Sequence, residues 1–237
     1  MKLDVLAFAA HPDDCELSCS GTLAKLKSQG KKIGIVDLTR GELGTRGTVE
    51  IRNQEAEASS KILKLDAREN LDMRDGFIEI SEANKLKVVQ MLRKYKPTIV
   101  FANAIVDRHT DHGRAAELIE QSIFISGLVN VKTTLNGKEQ ESWRPKQVFH
   151  YVQFQYIKPD VIVDITANWE TKEASIKAFG SQFYDPKSKE PKTLISSEGF
   201  MDIVRSRAIE YGSAIGVKYG EGFTTHTAVN YNFLNLL

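Results

Sequence analysis

The chain of 237 residues has little that would tie it to a membrane, a polyanion or an oxidising compartment. Its formal net charge is only +1, without the one-signed field that draws a protein to nucleic acid or an anionic lipid surface. No apolar run approaches the length needed to span a bilayer. An apolar run starts at Leu3 with no charged and hydrophobic leader before it, so no signal peptide is expected. Only two cysteines occur, Cys15 and Cys19, and no disulfide framework can be built from them. A cytoplasmic location is the resulting expectation. Repeats, low-complexity tracts and convincing linkers are missing too, so residues 1–237 are expected to form one domain with a substantial core. No Gly-x-Gly-x-x-Gly follows the first apolar run, where a dinucleotide-binding turn would belong.

What the chain does have is an alternation of short apolar runs and amphipathic stretches. Leu3–Ala9 is short and largely apolar, as a fully buried strand requires. A helix is expected over Leu17–Gln29, with Leu17, Leu23, Ala24 and Leu26 apolar and Gly30 placed to end it. Ile33–Leu38 is a second strand and completes a βαβ unit. A glycine-rich loop follows, Thr39 to Gly47, and then Thr48 caps a helix to about Leu63. A strand near Asn70–Met73, a helix from Ser81 stopped by Pro97, and a strand over Thr98–Ala102 continue the series. Next come a helix from His112 to Ile125 and a polar excursion over 130–146 that turns at Asn136-Gly137. Strands at Gln147–Gln155 and Val161–Ile165 lead to helices from Thr166 to about Phe183 and Ser197 to about Ile215. Tyr219–Val229 reads as a final extended segment. The alternation predicts an α/β fold: a Rossmann-like, doubly wound, mostly parallel sheet with helices on both faces.

Two polar clusters stand out against this background. Ala10-His11-Pro12-Asp13-Asp14 follows the first strand directly, and Arg108-His109-Thr110-Asp111-His112 lies several residues beyond the fourth. Histidine and aspartate bind a borderline metal such as zinc through nitrogen and oxygen. Pro12 restricts His11 to an extended conformation, which fixes the angle of the side chains. A polar turn with an aspartate helix cap would account for the first cluster alone. In a sheet ordered 3-2-1-4, however, the first and fourth strands are neighbours whose connections leave on opposite faces. That opens a crevice at their carboxyl ends. Both clusters then fall at one crevice, and the metal reading leads.

His11, Asp14 and His112 are the expected ligands, because three protein ligands and one open position characterise a catalytic zinc. Such a metal lowers the pKa of its water to about 7. Asp13, adjacent and unligated, can take that proton and return it to a leaving amine. His109, if held protonated, can polarise a carbonyl or stabilise an oxyanion. Asp111 is expected to orient a histidine, to cap the helix that follows, or to do both. Cys15 and Cys19 lie beside the first cluster, but the other ligands suffice, so both are expected to be small buried helix residues.

Together with Thr39-Arg40-Gly41-Glu42-Leu43-Gly44-Thr45-Arg46-Gly47 and Arg52-x-x-Glu55, the clusters resemble the LmbE-like (PIG-L) zinc N-deacetylases over nearly the whole chain. Ile157-Lys158-Pro159-Asp160, Ser181-Gln182-Phe183-Tyr184 and Glu221-Gly222-Phe223 resemble one branch of that family. Its members remove acetate from N-acetyl-D-glucosaminyl L-malate in bacillithiol biosynthesis. The resemblance implies zinc (Zn2+) on His11, Asp14 and His112, Asp13 as the base, and substrate contacts from Arg52. It implies a homo-oligomer, commonly a hexamer, acting on a small glucosaminide. Position 110 is threonine where relatives often have proline, a departure that touches only loop geometry.

Arg108 joins Arg52 as an expected partner for the malate carboxylates, since a guanidinium fork matches a carboxylate bidentately. The alternative substrates are other glucosamine conjugates, such as a thiol S-conjugate or an N-acetylglucosamine oligosaccharide. A noncatalytic nucleotide-binding module is disfavoured, because aspartates occupy the turn where a phosphate would sit.

Overall fold

Strand β1 (Val5–Ala9) is buried from end to end, and the chain passes from it directly into the first polar cluster. The computed structural model describes residues 1–229. In it β1 lies inside the sheet, with β2 (Ile33–Thr39) and β3 (Ala67–Met73) on one side and β4 (Ile99–Ala102) on the other. These four strands run parallel, Ala7 standing opposite both Ile35 and Phe101. The expected order 3-2-1-4 is therefore the order found. Past β4 the sheet continues through β7 (Gln147–Tyr151), β9 (Gly220–Thr224) and β8 (Val161–Asp164), giving seven strands. β9 is antiparallel to both its neighbours, while β7 is parallel to β4.

Side chains of a strand alternate between faces, and β1 shows what each face buries. Val5, Ala7 and Ala9 pack with α1 (Asp14–Ser28), the end of α2 (Val49–Leu63) and Trp169 of α5 (Trp169–Lys177). Leu6 and Phe8 pack on the opposite face with α3 (Glu82–Tyr95) and α4 (Thr110–Ser126). Phe8 and Phe101 are fully buried, and each such side chain contributes about 1.5–3 kcal/mol on leaving water. Cys15 and Cys19 are free and fully buried in the first of these clusters, as expected for small helix residues. Among the described residues no helix is long and apolar enough to cross a membrane.

Local chemistry sets several boundaries. Thr48 Oγ1 accepts from the Ile51 N–H and Ser81 Oγ from the Asn84 N–H, each capping the helix predicted there. Asn136 and Gly137 both have positive φ, 51° and 75°, and form the two-residue turn between β5 (Thr134–Leu135) and β6 (Lys138–Glu139).

Elsewhere the structure corrects the predicted ends. α1 begins at Asp14, three residues before the predicted start, so the first polar cluster runs into a helix turn. β7 ends at Tyr151 and not at Gln155, because Arg207 of α6 (Phe200–Ala214) holds the Gln153 and Phe154 carbonyls and turns the chain across the sheet. The helix predicted over Thr166–Phe183 is a 3-10 turn (Thr166–Asn168) followed by α5, which stops at Lys177. Beyond it the Glu55 carboxylate accepts from both the N–H and the hydroxyl of Ser181, at 2.6 and 2.8 Å. α6 starts at Phe200, later than Ser197. The extended segment predicted over Tyr219–Val229 is a strand only at Gly220–Thr224. The single domain expected over 1–237 includes residues 230–237, which lie outside the described residues.

Candidate active site

The turn between β1 and α1 is tight, and Asp13 takes the strain of it. Its φ of 118° lies in the left-handed region that non-glycine residues avoid, a conformation kept only where the surroundings enforce it. Arg52 of α2 supplies part of that enforcement. Its Nη2 donates to the Pro12 carbonyl at 2.6 Å and to Asp13 Oδ2 at 3.1 Å, and Nη1 donates to the Gly41 carbonyl at 3.4 Å. Gly41 has to be glycine: φ is +65°, and a Cβ there would stand 2.1 Å from Arg52 Nη1.

The topology brings His11, Asp14 and His112 together from positions about a hundred residues apart. Asp14 Oδ1 is 3.2 Å from His112 Nε2, and Oδ2 is 3.5 Å from His11 Nδ1. His109 completes the group, with one ring nitrogen from each of His11, His109 and His112 within 4.8 Å of the others. Asp14 is held on both oxygens: the His11 N–H and Asn103 Nδ2 donate to Oδ2, and Gln153 Nε2 donates to Oδ1. Burial alone would raise its pKa, but His112 and His11 beside it hold the carboxyl well below the usual range.

His112 is fixed from behind. Its Nδ1 lies 2.6 Å from Asp107 Oδ2, and Asp107 in turn accepts from the backbone N–H groups of Arg108, Phe154 and Gln155. Burial would lower the His112 pKa, yet the Asp14 and Asp107 carboxylates lift it to about 9. His11 Nε2 faces Asp75 Oδ1 at 3.0 Å and Asp111 Oδ2 at 3.5 Å, out of line for a hydrogen bond to either. The nitrogen on the Asp14 side is Nδ1, and together with Asp14 and His112 Nε2 it makes a buried set of two imidazoles and one carboxylate that suits zinc.

Two sequence expectations change here. His109, not Asp111, caps α4: its Nδ1 accepts from the Asp111 N–H at 3.2 Å. Asp111 instead accepts from the N–H groups of Gly76 and Ile78, tying the loop after β3 against His11. For His109, burial and the neighbouring His11 and His112 lower the pKa, which works against the protonated form. With Nδ1 accepting, the neutral ring carries its proton on Nε2.

Asp13 lies beside the cluster and is buried. Burial pushes its pKa up, against the pull of Arg52, to about 7. Arg52 is thus inside the site: Nη1 and Nη2 serve Asp13 and the turn, while the buried Nε has no hydrogen-bond partner. Arg108 is exposed at the mouth, over the Phe154 ring at 5.4 Å from the centroid. From Asp13, His109 and His112 a cleft leads past Leu17, Phe154, Phe200, Val204 and Tyr211. Its lining includes the buried Lys172–Glu221 pair, 2.7 Å apart.

Four groups in the site were not picked out from the sequence: Asp75, Asn103, Asp107 and Gln153. Asp75 and Asn103 lie just beyond the carboxyl ends of β3 and β4, where the crevice rule points, so position was a usable signal. Asp107 stands one position before Arg108 but five before its partner His112. Gln153 carried no signal, being placed by the turn that Arg207 holds.

Fold and site define a class: a Rossmann-like α/β protein with a metal-type His and Asp cluster at the switch point of its sheet. The family model described as PIG-L: GlcNAc-PI de-N-acetylase matches residues 6–123, the span that carries both clusters. The chain belongs to the PIG-L deacetylase family. It is 28% identical over 229 residues to diacetylchitobiose deacetylase of Thermococcus kodakarensis, covering 92% of this chain and 81% of that protein. The crystal structure of the conserved protein TT1542 from Thermus thermophilus is similar with a TM-score of 0.85 and 36% identity, covering 97% of each chain. N,N'-diacetylchitobiose deacetylase from Pyrococcus horikoshii gives a TM-score of 0.80 and 29% identity, over 97% of this chain and 88% of that one.

Proposed function

We propose that this chain is a cytoplasmic, zinc-dependent N-deacetylase that hydrolyses the acetamide of N-acetyl-D-glucosaminyl L-malate in bacillithiol biosynthesis. The observation that carries the hydrolytic reading is the placement of Asp13, a buried carboxyl held by Arg52 beside the His11, Asp14 and His112 donors. Those three residues would hold the zinc. Bound there, zinc supplies Lewis-acid polarisation of the amide and a more acidic attacking water.

The rest is done by the chain's own groups. Asp13 takes a proton from water as the oxygen attacks the acetamide carbon. It hands that proton to the nitrogen as the C–N bond breaks, leaving acetate and a free amine. His109 donates from Nε2 toward the oxygen on which negative charge develops. Arg52 favours the ionised form of Asp13 and fixes the turn beneath it. Asp107 fixes the ring of His112, and Asp75 and Asp111 face that of His11.

Relatives named as diacetylchitobiose deacetylases support an N-acetylglucosamine unit as the part acted upon. For the malate, Arg108 is the exposed guanidinium beside the cluster. The motifs that suggested the branch serve packing as well: Glu221 accepts from the N–H groups of Gly21 and Thr22, and Gln182 donates to the Arg46 carbonyl. The apolar lining of the cleft favours a second reading, a glucosamine conjugate with an apolar arm such as a thiol S-conjugate. We also infer a homo-oligomer, hexameric by resemblance; Phe124 and Val129, 61% and 69% exposed near the end of α4, are groups a second copy would cover.

The test is acetate release by the zinc-loaded protein from the malate conjugate, an S-conjugate, diacetylchitobiose and free N-acetylglucosamine. A large preference for the malate conjugate is the expected result. A preference for the S-conjugate would move the assignment to the second reading, and release from none of them would overturn the deacetylase reading.

A further inference from the structure

A second group of metal-type side chains lies away from the cleft. Glu120 projects from α4, His150 from β7, and His226 from the segment after β9. One ligand atom of each lies within 4.8 Å of the others. Both rings address the same oxygen: His226 Nδ1 is 2.6 Å and His150 Nε2 is 3.1 Å from Glu120 Oε1. We propose that Glu120, His150 and His226 form a second site for a divalent transition metal, with zinc as the best-matched ion.

The orientation of His150 carries the argument. The ring is 1% exposed, and its Nδ1 lies 2.8 Å from the Asn103 carbonyl oxygen. A carbonyl can only accept, so the Nδ1 proton belongs to that contact. In the neutral ring Nε2 then presents a lone pair to a carboxylate oxygen, two acceptors face to face. A cation between them turns that opposition into coordination. A histidine whose other nitrogen is tied to a backbone carbonyl is the usual form of a metal ligand.

The donor chemistry and the spacing agree. Two imidazoles and one carboxylate are a set that zinc takes, leaving a fourth position for water. Bonds of about 2.0–2.1 Å in a tetrahedron put donors roughly 3.3–3.4 Å apart. The His150–Glu120 contact is already close to that, and the His226–Glu120 contact has to open by less than about 1 Å. His226 is 55% exposed on its side chain, so it can shift and an ion can enter from solvent.

The site would tie the chain after β9 to α4. It also adjoins the first cluster through one residue, since Asn103 holds His150 with its carbonyl and donates to Asp14 from its side chain.

Zinc titration of the full chain, read by metal content after dialysis, tests the proposal without using activity. His226→Ala, at an exposed position, and Glu120→Gln should each bind one equivalent fewer than the parent. Their affinity for that equivalent should fall by at least the roughly 10–100-fold that loss of an outer partner costs. A His11→Ala/His112→Ala chain should keep one equivalent and lose it when His226→Ala is added. With cobalt as the probe, the visible band of that double variant should disappear on the same change, while thermal unfolding confirms that each variant is folded. An unchanged zinc count in His226→Ala, or no metal in the folded His11→Ala/His112→Ala chain, would overturn the assignment whatever the first cluster binds.

Discussion

Arg52 Nη2 lies 3.1 Å from Asp13 Oδ2 and 2.6 Å from the Pro12 carbonyl, so one buried guanidinium holds both the carboxylate and the strained turn that presents it. Its charge favours ionised Asp13 and opposes the burial that raises the carboxyl to about 7. Removing the charge therefore moves that pKa upward. A base works only when ionised, so the acid limb of kcat/KM against pH should shift to higher pH in Arg52→Gln. Activity should fall most at pH 6–7 and recover partly toward pH 9. Arg52→Lys should shift the limb less. If the limb stays where it is in Arg52→Gln, Arg52 does not act through Asp13.

Asp13 itself gives the sharper result. Asp13→Asn should keep its metal and lose roughly 10²–10⁴ in kcat, the range for a missing general base. His109→Ala should lose a comparable amount if Nε2 donates to the developing oxyanion. Because the His109 pKa is lowered, the neutral ring is the working form above pH 6.5, and activity should not decline through pH 7–8 on its account. Near-normal kcat in both variants would assign the chemistry to other residues.

Asp107 reaches the metal-type cluster only through His112. Asp107→Asn should therefore weaken zinc binding by about 10–100-fold and leave kcat nearly intact once zinc is saturating. Competition with a chelator of known affinity reads the first quantity, and a zinc-saturated assay reads the second. A kcat loss that zinc does not restore would place Asp107 closer to the chemistry than its 2.6 Å contact with His112 implies.

The parts of this site that could be read from the sequence are those fixed by local pattern and topology. Short apolar runs separated by amphipathic stretches set the order β3-β2-β1-β4, and that order brings His11 and His112 to one crevice. What escaped depends on contacts between distant segments. Gln153 reaches Asp14 because Arg207, about fifty residues on, holds the turn after β7. The end of α5 depends on Glu55, more than a hundred residues earlier. Asp111 reads equally well as a helix cap, and only the docking of Gly76 and Ile78 decides its contacts. Arg52 shows the same limit from the other side. Its type fits a carboxylate of the substrate, but the nearest carboxylate turns out to be Asp13.

Arg108 is left as the arginine free to read the malate. Burying substrate carboxylates requires donors at the cleft mouth. Arg108 stands there, its guanidinium over the Phe154 ring and exposed to solvent. Exposure weakens such a contact by screening, so the effect belongs at the lower end for a charged hydrogen bond. Arg108→Ala should cost about 1.5 kcal/mol in kcat/KM on the malate conjugate, roughly tenfold. On an uncharged N-acetylglucosaminide the same change should cost little. The difference should shrink as salt is raised, because the contact is electrostatic and open to solvent. Arg52→Lys provides the control: acting through Asp13, it should reduce turnover of the charged and uncharged substrates by similar factors. If Arg108→Ala also lowers both equally, Arg108 supports the site without recognising the malate, and the branch assignment loses its residue.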